Sequence, residues 1–80
     1  MHYVYILESD ASAGQQYIGY SRNLKQRIED HNLGHSPHTA KYRPWNLVFY
    51  AAFAKKFKAL EFESYLKSHS GKAFAAKRLL

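Results

Sequence analysis

Residues 2–8, HYVYILE, carry apolar side chains at both parities. In an extended chain Val4 and Ile6 point to one side, Tyr3, Tyr5 and Leu7 to the other. A strand of this kind belongs inside a sheet that is covered on both faces. The remaining elements must therefore provide two layers around one short sheet.

The residues that follow are SDASAGQ, small and turn-prone, after which QYIGY resumes the strand pattern. The pair predicts a hairpin in which Tyr17 and Gly19 share one face and Ile18 and Tyr20 the other. Ser21 is a candidate N-cap for a helix over RNLKQRIEDHN, with Gly34 as its stop. At about 100° per residue, and with Leu24 at zero, Ile28 falls near +40°, His31 near −20° and Arg27 near −60°. A cation and an imidazole thus flank the apolar stripe, where a surface helix normally places neither.

GHSPHTAKYRP, residues 34–44, is a basic loop with His35, His38, Lys41 and Arg43. WNLVFYAAF, residues 45–53, is the most apolar strand. A second helix opens at Lys55 or Lys56 and runs to Lys67, and a short third helix follows a break at Ser70-Gly71. In the second helix Ala59, Phe62 and Leu66 form a stripe that Glu63 completes, while Glu61 points roughly the opposite way. Phe57 and Leu60 lie off this stripe, which implies cover on more than one side. The order β-β-α-β-α-α predicts an α+β fold, a small three-stranded, mostly antiparallel sheet flanked by helices.

Eighty residues are enough for one domain, 1–80, with one core. Hydrophobic residues make up 46% and aromatics 16%, so a core can form without disulfides, and the chain has no cysteine for a thiolate nucleophile or zinc-thiolate site. Twelve Lys and Arg against six Asp and Glu give a net charge of +6, which calls for a polyanionic partner. No run approaches the roughly 18 apolar residues of a membrane span, and no signal-peptide pattern opens the chain, so a soluble cytoplasmic protein without a membrane partner is expected.

One carboxylate near a cation, an imidazole and several phenols suits one-metal phosphodiester hydrolysis. The same residues resemble the GIY-YIG nuclease superfamily. YVY at 3–5, YIG at 17–19, Arg27 ten residues after Tyr17, His31 one turn later and Glu63 on a later helix follow its order. The likeness is to small stand-alone bacterial proteins similar to the N-terminal domain of the nuclease subunit of excinuclease ABC, and it covers nearly the whole chain.

The resemblance implies a metal-dependent DNA endonuclease with a catalytic set of Tyr5, Tyr17, Arg27, His31 and Glu63. Tyr17 would be the general base, Tyr5 would orient water or phosphate, Arg27 would hold the phosphate, and Glu63 would hold one Mg²⁺ or Mn²⁺ ion. Gly19 would leave room for close approach of substrate, and nucleic-acid contacts are expected from Gly19, Tyr20, Arg22, Lys41, Arg43 and Lys67. Two positions depart from the family pattern: Tyr3 stands where the name has glycine, and no asparagine follows Glu63. A nucleic-acid-binding module of the same fold that does not cleave is the alternative. A third class is a small interaction domain docking on a DNA-repair complex. DNA is the expected partner ahead of RNA, with DNA-repair proteins beyond it; the oligomeric state stays open.

Overall fold

A computed structural model describes residues 1–80. Strand β1 (His2–Ser9) lies in the middle of a three-stranded antiparallel sheet of order β2-β1-β3, with β2 at Gln16–Ser21 and β3 at Trp45–Phe53. Its position explains its sequence: each face of β1 meets a different set of helices. Val4 and Ile6 join Ala59, Leu66 and Ala75 in one buried cluster, against which Ile18, Tyr20, Phe49 and Phe62 pack. Tyr5 and Leu7 form a second cluster with Trp45, against which Tyr17, Leu24, Ile28 and Tyr42 pack. Full burial of a Val, Ile or Leu contributes about 1.5–3 kcal/mol. The central strand therefore ties both layers together.

Helix α1 (Leu24–Leu33) covers the tyrosine face, and α3 (Lys56–Lys67) with α4 (His69–Arg78) covers the other. The hairpin, the third strand and the α3 boundaries agree with the sequence reading, and the two hairpin faces divide as expected. Between α1 and β3 a single turn, α2 (Pro37–Ala40), lies inside the stretch read as a basic loop. The Arg43–Pro44 peptide bond is cis. A register shift between Ile6 and Leu7 lets Val48 bulge from β3.

The helix caps need two corrections. Asn23, not Ser21, caps α1: its side chain accepts from Gln26 N at 3.1 Å. Ser21 still ends β2, and its hydroxyl donates to the Asn23 carbonyl at 3.0 Å. Ser70-Gly71 is not a break. The Ser68 hydroxyl accepts from Gly71 N at 3.0 Å, and α4 runs through the glycine. Gly71 is instead a point of close approach, because a Cβ there would overlap the Tyr65 carbonyl of α3. Gly34 stops α1 as expected, in the left-handed region at φ 82°.

Two polar clamps fix the layers. Asn32 pairs its amide with the backbone of Trp45, accepting from its N at 2.6 Å and donating to its carbonyl at 3.2 Å. The Ser9 hydroxyl accepts from Ala11 N and Ser12 N and donates to the Tyr42 carbonyl. Phe57 and Leu60 are exposed, so α3 is covered along one side only. No helix is long and apolar enough to cross a membrane.

Candidate active site

Tyr5 on β1 and Gly19 on β2 are direct cross-strand partners. A Cβ on Gly19 would come within 2.5 Å of the Tyr5 hydroxyl and 2.9 Å of the Tyr17 ring. The glycine therefore makes room for the two phenols of its own protein. The Tyr5 and Tyr17 ring centroids stand 6.3 Å apart.

Helix α1 brings His31 onto this pair. Its Nε2 lies 2.9 Å from the Tyr5 hydroxyl, and its ring packs on Tyr17 with centroids 4.8 Å apart. Nδ1 lies 2.8 Å from the Thr39 hydroxyl on α2. The Ser36 carbonyl already accepts from Thr39 N and Ala40 N, and the Thr39 hydroxyl reaches it only at 3.4 Å. The Thr39 hydroxyl donates there all the same, so His31 carries its proton on Nδ1, which donates to Thr39 Oγ1, and Nε2 accepts from the buried Tyr5 hydroxyl, which has no other acceptor. Sequence reasoning misses Thr39 because nothing in its spacing from His31 marks it; only the α2 turn aims it inward.

Burial shapes the charges. It lowers the His31 pKa, and the Arg27 guanidinium lowers it further, so the ring is held neutral. Tyr5 is raised well above the ordinary phenol value by burial first, then by Tyr17; Arg27 pulls the other way and Glu63 adds to the rise. Arg27 and Glu63 therefore both act electrostatically on one phenol, although they approach from opposite layers of the fold.

Tyr5 and His31 are each only 1% exposed. Both are closed off and hydrogen-bonded and form a polar floor beneath Tyr17, so Tyr5, read as orienting water or phosphate, is buried in this structure. Tyr17 itself is half-buried, and Arg27 is exposed. Tyr17 lines the largest groove, about 630 Å³, between the hairpin loop and α4, together with Lys67 and Lys72. Lys67 pairs with Glu63 at 3.2 Å. Glu63 keeps 19% of its side chain exposed, against 62% for Glu61, so the two carboxylates differ as the helical spacing predicts.

The expected nucleic-acid contacts are not all gathered here. Tyr20 lies on the opposite face of β2, with its hydroxyl 2.7 Å from His2 Nδ1. Lys41 sits over the Tyr42 ring and the Arg43 guanidinium over Gly34, both in the segment that joins α2 to β3. Arg22 is exposed just ahead of α1. No set of three or more His, Cys, Asp or Glu side chains is grouped to hold a metal. A single half-buried carboxylate, paired with the exposed Lys67, does fit a hard divalent ion that keeps most of its waters and takes further oxygens from a phosphate.

The three-stranded sheet and this cluster define the class: the chain belongs to the GIY-YIG family, and the model of the GIY-YIG catalytic domain matches residues 1–78. Among individual proteins, it is similar to a UPF0213 protein of Staphylococcus aureus strain Mu3, 34% identical over 70 residues, spanning 86% of this chain and 83% of that one. The solution structure of a UPF0213 protein from Bacillus halodurans superposes with a TM-score of 0.58 at 34% identity, covering 95% of this chain and 82% of the other. A structure-specific endonuclease subunit SLX1 homolog of Giardia intestinalis is 38% identical over 65 residues. That match takes in 76% of this chain and spans only 18% of the Giardia protein.

Proposed function

We propose that the chain is a DNA endonuclease that hydrolyses phosphodiester bonds with one divalent ion. The observation that carries this reading is the half-buried Tyr17, packed on a neutral His31 within a cluster that both Arg27 and Glu63 influence. The Giardia relative is named a structure-specific endonuclease subunit, which supports cleavage of a nucleic acid selected by its structure.

Water attacks phosphorus, and Tyr17 takes its proton. Arg27, always charged, neutralises the negative charge that builds on the phosphate oxygens. Tyr5, His31 and Thr39 hold the Tyr17 ring in place from behind, and rigid placement of this kind favours electrostatic catalysis. Glu63 would hold Mg²⁺ or Mn²⁺, which when bound polarises the phosphate and stabilises the leaving oxygen. The P–O bond to the leaving sugar breaks, and phosphate and hydroxyl ends result.

One observation favours the alternative, a binding module without cleavage: Glu63 is engaged by Lys67 at 3.2 Å. Labelled single-stranded, duplex and branched DNA, incubated with Mg²⁺, Mn²⁺ or chelator, separates the two. Metal-dependent cleavage that Glu63→Ala and Tyr17→Phe each reduce by at least a hundredfold, with binding preserved, is the expected result. Salt-sensitive binding with no cleavage of any substrate overturns the enzymatic reading and leaves the binding module.

A further inference from the structure

Tyr3, at the position where the family name has glycine, has no part in the cluster around Tyr17. It lies against Tyr50, with ring centroids 6.2 Å apart and planes inclined by 56°. The two rings stand over a groove of about 500 Å³ floored by Leu24, Ile28 and Leu47. Arg22 and Lys25 form its rim, and no carboxylate lines it. Neither cation is in an ion pair. Tyr50 is 53% exposed, unusual for a ring with an apolar groove beside it.

The geometry points to a binding subsite for an unpaired nucleotide, its base stacked on Tyr50, with Tyr3 buttressing that ring, and its phosphates held by Arg22 and Lys25. Exposed aromatic faces beside free cations are the elements with which single strands are bound without regard to sequence. A duplex cannot use them equally, because its base faces are already covered by neighbouring pairs. The rim charge and the absence of carboxylates select a polyanion over a neutral peptide.

Position supports the assignment. Tyr50 is the direct cross-strand partner of Tyr5, on the sheet face that carries Tyr17. Strands β2 and β3 are two spacings apart, about 10 Å. The inference rests on the nucleic-acid reading above and deepens it: the substrate, or the part of it next to the cut, is single-stranded.

The test is binding in chelator, where cleavage cannot interfere, so a failure of catalysis leaves its outcome untouched. Fluorescence anisotropy compares labelled oligo(dT) of about 10 nucleotides with a blunt duplex hairpin. Tyr50→Ala and Tyr50→Leu are expected to weaken oligo(dT) binding about tenfold, the scale of one lost base–aromatic stack, and duplex binding less than twofold. Tyr50→Phe restores the affinity, since the ring and not its hydroxyl makes the contact. An oligo(U) arm identifies which strand chemistry is preferred, and the ring-less variants must weaken whichever binds. Unchanged single-strand affinity in Tyr50→Ala and Tyr50→Leu overturns the inference, as does an equal loss on the duplex; either result returns the groove to a protein partner or to general charge attraction.

Discussion

Gly19 shows how one absent side chain decides what its neighbours can do. An alanine Cβ there meets the Tyr5 hydroxyl and the Tyr17 ring, neither of which can retreat into the packed face behind it. Gly19→Ala is expected to cost about 1–3 kcal/mol in chemical denaturation and to lower cleavage more than binding. His31 gives a second prediction at this scale. Its folded pKa is lowered, so between that value and the ordinary 6.5 the unfolded chain binds more protons than the native one. The contribution of the neutral ring to stability is complete above about pH 6.5 and shrinks as pH falls through the window below it. Thermal melts from pH 7.5 down to 5 should show a falling Tm. His2 is lowered as well, so comparison with His31→Gln isolates the part that belongs to His31.

At the scale of elements, the sequence is most legible where periodicity is strict. Strand β1 and the Ala59, Phe62, Glu63, Leu66 stripe of α3 can be read directly, and so can the flanking placement of Arg27 and His31 on α1. Contacts between elements are not legible. Ser21 and Asn23 are both good capping types, and the choice depends on where β2 lets go of the chain. Gly71 reads as a break because glycine usually interrupts a helix; its closeness to the Tyr65 carbonyl exists only once α3 and α4 are docked. Thr39, Asn32 and Ser9 belong to the same group, as polar side chains whose partners are remote in sequence. Asn32→Ala leaves the Trp45 N–H without its acceptor and frees the end of α1 from β3. A loss of about 1–3 kcal/mol is expected in denaturant titration, with Asn32→Asp recovering part of it.

Across the whole molecule, a charge of +6 on 80 residues predicts that binding to a nucleic acid falls steeply with ionic strength. Raising salt from about 50 to 200 mM should weaken binding by at least tenfold, read from the slope of log affinity against log salt. Each of Arg22→Gln and Lys25→Gln should reduce that slope by about one contact. A slope that neither substitution changes would remove those cations from the interface. Strand β1 adds a different consequence. Its even-numbered Val4 and Ile6 pack beneath α3 and α4, and its odd-numbered Tyr3 and Tyr5 lie on the face that α1 covers, beside Tyr50 and Tyr17. One eight-residue word is thus written in two interleaved alphabets, and a substitution at either parity is felt first in one layer only.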